Sequence, residues 1–235
     1  MRVSLLHRIF DLIAPRTCCI CGCRLAPEEE TLCLRCNLHL PRTDHLANPY
    51  ENELAKVFWG RVKHIEKAAA LMVYHSGSQA AYPIYGLKYR HRADIGQSLG
   101  RMLGEEMRVS GFFDGIDMII PVPLTRDRMA ERGYNQSELI ARGMRERCGL
   151  PVITDVLVRH TYKGSQTALG RPDRNENVEG AFALRHARKI QGKHMLLVDD
   201  VVTTGATLCA CAQPLERVDG VRISVAAIGF ADPRR

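Results

Sequence analysis

The amino-acid sequence predicts an α/β protein, in which helices cover both faces of a parallel sheet and a small four-cysteine ribbon precedes it. Short runs rich in Val and Ile alternate with helical segments from residue 67 onward, an order typical of a parallel sheet. Most of the nine cysteines lie between residues 18 and 36. The chain has 235 residues, of which 46% are hydrophobic, enough for one domain of ordinary size plus a small appendage.

The charge and the N-terminal segment limit the class of protein. A net charge of +7 favours anionic partners such as phosphates, nucleic acid or acidic membrane surfaces. No run approaches the ~18 apolar residues of a membrane span. Residues 1–15 resemble a signal peptide superficially, but His7, Arg8 and Asp11 interrupt the apolar run and no small-residue cleavage site follows. We therefore expect a short helix there, and a cytoplasmic protein.

The clustered cysteines have the spacing of a zinc site. Four thiolates from two short loops close a tetrahedral site, and a reducing compartment leaves them free to bind metal. A redox dithiol or loosely buried thiols would not explain two pairs. The extra Cys19 and Cys23 leave open a different partner for Cys21. Residues 1–45 are thus predicted to be an N-terminal helix and a zinc ribbon, with two C-x2-C pairs as ligands: Cys18, Cys21, Cys33 and Cys36.

Residues 46–66 are polar and lack a sustained period, so they are predicted to be a linker with a short helix near residues 53–58. Trp59 is expected to be an anchor in a core or between domains rather than a platform for a base. Residues 67–235 form the main domain. Its predicted strands are "AAALMVY", "DMIIPVP", "VITDVLV", "HMLLVDD" and "GVRISVAAIGF", and "IGQSLGRMLGEEMR" and "NQSELIARGMRERCG" are predicted helices.

The stretch "MLLVDDVVTTGATL", residues 195–208, carries the predicted ligand site. Ligands of parallel sheets bind at the carboxyl ends of the strands, where this strand ends on Asp199 and Asp200. Ionised carboxylates only accept hydrogen bonds, so sugar hydroxyls are their natural partners. The following loop offers amides, hydroxyls and a helix N-terminus to a phosphate. The pattern predicts a ribose 5-phosphate site, whose phosphate loop comprises Thr203, Thr204, Gly205, Ala206 and Thr207.

"LLVDDVVTTGAT" resembles the signature of type I phosphoribosyltransferases. The resemblance implies a Rossmann-like parallel sheet, and it implies that Asp199 and Asp200 are the catalytic pair. They would hold the ribose 2- and 3-hydroxyls of phosphoribosyl pyrophosphate, while the loop wraps the 5-phosphate. A Mg²⁺ ion is expected on the diphosphate.

A second resemblance covers nearly the whole chain. The cysteine ribbon, "LKYRHR", "PVPLTRDRMAERGYNQS", "QTALGRPDRNENVEGAF" and the signature loop follow one another in the order of the ComF family of competence-associated proteins. That family joins a zinc ribbon to a phosphoribosyltransferase fold and is linked to the handling of incoming single-stranded DNA. The chief departures are the two additional cysteines.

Several cations are expected around the diphosphate. Lys88 adds to the positive field, and the long polar segment around residues 159–182 is predicted to be a lid that excludes water. Asn135 and Gln136 could read a base edge or cap a helix, and capping is the expected role. Tyr89 could stack on a base or pack. The candidate arginines are Arg126, Arg128 and Arg132 after the second strand, and Arg159, Arg171 and Arg174, with Lys163, in the lid.

Two functions are compatible with these residues. The first is binding of phosphoribosyl pyrophosphate, or of a nucleotide 5-phosphate, together with single-stranded DNA in DNA uptake. The alternative is a phosphoribosyltransferase that acts on a nucleobase or amide acceptor in nucleotide metabolism; no residue stands out as a general base, so catalysis is left open. The ribbon could also dock a competence helicase or an uptake-pore protein. Expected DNA-backbone contacts are Arg24, Arg35, Lys88, Arg90 and Arg92.

Overall fold

The computed structural model describes residues 15–160 and 180–231. Its main sheet has four strands, all parallel, in the order β1-β6-β5-β2. A separate antiparallel pair, β3 and β4, lies beside it. The strands are β1 Ile65–Val73, β2 Met118–Pro121, β3 Leu157–Arg159, β4 Phe182–Leu184, β5 His194–Val202 and β6 Arg222–Phe230.

The helices alternate with these strands along the chain. The helix predicted within residues 1–15 and most of the predicted lid lie outside the described residues. Within the described ranges, the helices are α1 Leu34–Leu38, α2 Glu53–Lys56, α3 Tyr82–Tyr89, α4 Ala93–Val109, α5 Arg126–Arg132, α6 Gln136–Cys148 and α7 Ala206–Leu215.

Both faces of the sheet are buried under helices. Successive strand residues point to opposite faces, so Leu197 on β5 packs in one core with α2 and α7. Its neighbour Leu196 packs in the other core, with α3, α4 and α6. On the second face α4 and α6 approach closely, since a Cβ at Gly100 would lie 2.1 Å from the Ile140 carbonyl oxygen. The predicted parallel α/β fold is confirmed.

The segment predicted as a linker contributes to the first core. Leu54 in α2 and Phe58 in the turn after it are fully buried, and Asn52 caps α2 by accepting a hydrogen bond from the Ala55 amide at 2.9 Å. The expectation for Trp59 was wrong, because its side chain is 49% exposed. The neighbouring Phe58 occupies the inward position instead. The domain boundaries themselves stay a prediction.

The cysteine ribbon docks on α4 through apolar and polar contacts. Leu25 and Leu32 of the ribbon belong to the same core as α4. The Thr31 hydroxyl donates to Ser98 Oγ at 2.8 Å, in a buried position, and Arg101 pairs with Glu30 at 2.6 Å. The ribbon is therefore tied to the sheet domain through α4.

Candidate ligand site and four-cysteine cluster

The acidic pair lies at the carboxyl end of β5, near the middle of the sheet. The two side chains of neighbouring strand residues take different partners. Asp199 accepts hydrogen bonds from Ser137 Oγ at 3.0 Å and from the Asp200 amide at 2.9 Å. Asp200 forms an ion pair with Lys88 Nζ at 3.0 Å. The start of α6 and the last turn of α3 thus converge on the pair.

The two carboxyl groups of the pair have different electrostatic surroundings. Burial of Asp199, together with the nearby charge of Asp200, raises the pKa of its carboxyl group to about 7, against the opposing effects of the Asp200 amide, Lys88 and Ser137. A carboxyl group with such a pKa carries a proton at mildly acidic pH and loses it near neutrality. Its capacity to accept hydrogen bonds from a ligand therefore changes within the physiological pH range.

A cavity of about 300 Å³ lies over the acidic pair. Its wall combines acidic, cationic and hydroxyl side chains drawn from α3, α5, α6, β3, β5 and α7, so it can contact a ligand that has both sugar hydroxyls and phosphates. The polar lining residues are Tyr74, Lys88, Arg128, Arg132, Gln136, Ser137, Arg159, Asp199, Asp200, Thr203 and Thr207.

The structure brings some of the predicted cations to this cavity and not others. Arg128 and Arg132 are four residues apart on α5 and share the face that lines it. Arg126 is exposed and does not line it. It lies two positions before Arg128, and helical residues two positions apart are separated by about 200° around the axis. Arg159 reaches the cavity from β3, with its guanidinium 5.2 Å from the centre of the Phe182 ring. Arg171 and Arg174, and Lys163, lie outside the described residues.

The predicted phosphate loop runs between β5 and α7. Residues 203–207 line a small recess of about 50 Å³ that also contacts Asp199. Gly205 has a positive φ of 71°, and a Cβ there would lie 2.5 Å from Val57 Cγ1. Only glycine meets both conditions without strain. Thr204 and Ala206 belong to the same recess, so the loop predicted from the sequence forms one continuous wall.

Two residues at the site, Arg61 and Ser137, escaped the sequence analysis, and the capping role expected for Gln136 was wrong, because Asn135 is the cap of α6. Arg61 Nη1 donates to the Thr204 carbonyl oxygen at 2.7 Å and so braces the phosphate loop, from a segment predicted to be a linker. Ser137 holds Asp199, and Gln136 lines the cavity. Only the position of Ser137 and Gln136 directly after the predicted cap Asn135 hinted at them; nothing in the sequence pointed to Arg61.

The four predicted cysteine ligands come together in the ribbon. The Sγ atoms of Cys18, Cys21, Cys33 and Cys36 all lie within 4.8 Å of one another, and those of Cys21 and Cys33 are 3.7 Å apart. Sulfurs around a tetrahedral zinc ion with Zn–S bonds of about 2.3 Å would be about 3.8 Å apart. Backbone amides at Cys33 and Cys36 donate to two of these sulfurs, each at 3.4 Å. This donor set fits zinc and does not include Cys19 or Cys23, although the Cys23 thiol lies within hydrogen-bond reach of Cys21 and Cys33.

Comparisons with known proteins agree with this geometry. The model of the phosphoribosyl transferase domain family matches residues 130–233. The DNA utilization protein YhgH of Escherichia coli O157:H7 is 31% identical over 216 residues, which are 88% of this chain and 87% of that protein. Competence protein F of Haemophilus influenzae is 31% identical over 148 residues, 60% of this chain and 64% of the relative.

A solved structure, that of the allosteric regulatory enzyme of purine biosynthesis, is similar at 22% identity with a TM-score of 0.38. The match covers 57% of this chain and a quarter of that one, 25%. Separately, none of the helices in the described part of the chain is long and apolar enough to cross a bilayer.

The parallel sheet, the acidic pair at the end of β5 and the phosphate loop define a protein of the type I phosphoribosyltransferase fold. Its N-terminal four-cysteine cluster precedes that fold. The extent of the similarity to YhgH shows that the chain belongs to the ComF family of competence-associated proteins.

Proposed function

We propose that the chain binds phosphoribosyl pyrophosphate, with Mg²⁺, in the cavity over the acidic pair. The observation that carries this proposal is the convergence in one cavity of two carboxylates, several cations and the phosphate loop. Asp199 and Asp200 would accept hydrogen bonds from the ribose hydroxyls, and the 5-phosphate would enter the loop. The diphosphate would face Lys88, Arg128 and Arg132.

The ion pair between Lys88 and Asp200 has a role in this proposal. Lys88 Nζ occupies one oxygen of Asp200, so a ribose hydroxyl on that carboxylate has to share it or displace the lysine. A displaced Lys88 remains in the cavity and can follow the diphosphate, because its ammonium group is a point charge on a flexible stem. The same lysine thereby stabilises the carboxylate without ligand and the diphosphate with ligand.

Mg²⁺ would be held by the diphosphate and the carboxylates, the oxygen ligands this ion prefers. When bound it would neutralise charge on the leaving diphosphate. The chain's own contribution is to orient the ribose through the acidic pair and to surround the diphosphate with guanidinium groups. The acceptor of any transferred ribosyl group would bring its own nucleophile.

The affinity for phosphoribosyl pyrophosphate is expected to rise as the pH increases from 6 to 8. The pKa of Asp199 is about 7, so the carboxyl group is largely protonated at pH 6 and ionised at pH 8. The ionised form makes the stronger hydrogen bond to a hydroxyl. Calorimetric titrations across this range measure the effect.

Asp199→Asn is the control for this experiment, because phosphate groups of the ligand also titrate, near pH 6. The affinity of this variant should keep only the shallower pH dependence that comes from titration of the ligand. Identical pH profiles for the two proteins would contradict the role of Asp199.

We further propose that the protein binds single-stranded DNA in DNA uptake, as the names of its relatives suggest. The supporting observation is a groove of about 880 Å³ between the ribbon and α3. Tyr82, Tyr85 and Tyr89, 40–64% exposed, line it from one face of α3, and Arg90 and Arg92 lie at its edge. Exposed aromatic rings beside cations are typical of single-strand binding, since bases stack on the rings.

The groove changes the set of residues expected to contact DNA. Lys88 points instead into the cavity and pairs with Asp200, and Arg92 pairs with Asp94 at 2.6 Å. Arg24 and Arg35 line a different recess of the ribbon. The three tyrosines were absent from the expected contacts, although Tyr89 was considered for stacking.

Single-strand affinity is expected to fall with rising salt, by a slope of about −0.7 per phosphate contacted. Tyr85→Ala and Tyr89→Ala should each weaken binding by about 5- to 150-fold, from about 1–3 kcal/mol of stacking per base. Arg90→Glu should flatten the salt slope. Fluorescence anisotropy with a labelled oligonucleotide measures these effects.

Tyr50→Ala is the matched control, because Tyr50 is 59% exposed and does not line the groove. It should bind DNA like the unmodified protein. Base-dependent release of pyrophosphate, with no DNA affinity at physiological salt, would favour the alternative of a phosphoribosyltransferase in nucleotide metabolism.

A further inference from the structure

The segment "NQS" at the start of α6 contains one side chain whose role is unexplained. Asn135 caps α6: its Oδ1 accepts a hydrogen bond from the Ser137 amide at 3.1 Å, and its Nδ2 donates to the Val122 carbonyl oxygen at 2.9 Å. Ser137 holds Asp199 at 3.0 Å. Gln136, between them, neither caps the helix nor contacts the acidic pair.

Gln136 carries an unsatisfied buried donor. The residue is 1% exposed, and its Oε1 accepts a hydrogen bond from Arg132 Nη1 at 3.0 Å. Its Nε2 has no hydrogen-bond partner, and across residues 15–160 and 180–231 it is the only buried side-chain nitrogen or oxygen in this condition. Buried polar atoms are almost always paired, so an exception calls for a partner such as a ligand.

Arg132 determines the orientation of the amide group. A guanidinium group has only N–H donors, so the carbonyl oxygen of Gln136 must face it. A flipped amide would place two donors against each other. Nε2 is therefore held on the other side of the amide, and the side chain forms part of the wall of the cavity over the acidic pair.

The surroundings of Gln136 indicate what its donor binds. The cavity wall near it carries the guanidinium groups of Arg128, Arg132 and Arg159, which attract anions. We propose that Gln136 Nε2 donates a hydrogen bond to a diphosphate oxygen of the bound ligand, so that Gln136 selects for phosphoribosyl pyrophosphate over ribose 5-phosphate. This inference rests on the proposed function and assigns the diphosphate end of that site.

Two variants remove the donor in different ways. Gln136→Met keeps an unbranched side chain of similar length and removes both polar atoms, which leaves the partly exposed Arg132 to water. Gln136→Glu keeps an acceptor for Arg132, removes the donor and adds a negative charge, so its loss of diphosphate affinity should be the larger of the two. Gln213→Met, on the exposed face of α7, is the matched control. The ligands for calorimetry, each with Mg²⁺, are phosphoribosyl pyrophosphate, inorganic pyrophosphate and ribose 5-phosphate.

Both variants should bind phosphoribosyl pyrophosphate and pyrophosphate about 10-fold or more weakly, the loss typical of a hydrogen bond to a charged group. Their affinity for ribose 5-phosphate should be unchanged. Without ligand, Gln136→Met should unfold at the same or a higher denaturant concentration than the unmodified protein, because it relieves an unpaired buried donor. A residue with only a packing role would show the opposite, a loss of stability.

Equal affinity of the unmodified protein and both variants for phosphoribosyl pyrophosphate would overturn the inference. An equal loss for ribose 5-phosphate would show that the amide contacts the sugar or its phosphate, which also overturns it. Failure of the unmodified protein to bind any of the three ligands would overturn the proposed function, and is thereby distinguished from failure of the assignment to Gln136.

Discussion

Replacing both Asp199 and Asp200 with Ala is expected to weaken the binding of phosphoribosyl pyrophosphate by at least ~100-fold. Each carboxylate would accept a charge-assisted hydrogen bond from a ribose hydroxyl, worth about 1.5–3 kcal/mol, and ~2.8 kcal/mol corresponds to two orders of magnitude in affinity. The loss of negative charge also removes the proposed anchor for Mg²⁺. Calorimetry in the presence of Mg²⁺ measures the change directly.

Two controls separate this effect from unfolding. Asp155→Ala removes an exposed carboxylate that pairs with Lys189 and does not line the cavity, so its affinity should be unchanged. The double variant should also stay folded, because the pKa of the Asp199 carboxyl is raised by burial, which means that its charged form is not favoured by the fold. Unchanged affinity of a folded double variant would refute the site.

The second large effect concerns the ribbon. Protein purified without added metal is expected to contain about one zinc ion per chain, and Cys33→Ser is expected to lose most of it. Structural zinc sites contribute about 10–16 kcal/mol in isolated zinc-finger peptides, where metal binding and folding are one process. Elemental analysis measures the zinc, and limited proteolysis should show the ribbon opening before the sheet domain.

The other cysteines provide the controls for this experiment. Cys19→Ser and Cys23→Ser should keep their zinc, since neither belongs to the group of four sulfurs within 4.8 Å. Cys148→Ser, in α6, should do the same. Full zinc content in Cys33→Ser would contradict the assignment, and loss of zinc in Cys23→Ser would show that the ligand set differs from the four cysteines proposed.

The parts of the site that lie close together in the sequence were predictable from it. The acidic pair near the carboxyl end of β5, the phosphate loop and the two C-x2-C pairs are each formed within a few consecutive residues. Their chemistry follows from residue type, spacing and the rule that ligands bind at the carboxyl ends of parallel strands. The alternation of strands and helices likewise predicted the parallel sheet, which the structure and the family match confirm.

Periodicity alone could not predict which side chains face the cavity, because that depends on the phase of the helix. The sequence offered three arginines after β2 as equals, and the phase of α5 places Arg128 and Arg132 at the cavity and Arg126 in solvent. The neighbours Phe58 and Trp59, of which only Phe58 is buried, lie in the turn after α2, where no helix phase applies. A shift of one residue changes the direction of a helical side chain by about 100°, and the boundaries of a short helix are not predictable to that accuracy.

The sequence by itself therefore determined the class of fold, the acidic pair, the phosphate loop and the paired cysteines, because these depend on local order and composition. The tertiary structure alone decided that Arg61 braces Thr204 from 143 residues away, that Lys88 pairs with Asp200, and that Gln136, with an unpaired Nε2, lines the cavity. These contacts depend on how distant elements pack across the sheet. Such packing arises from many weak interactions spread over the whole chain, and no short stretch of sequence records it.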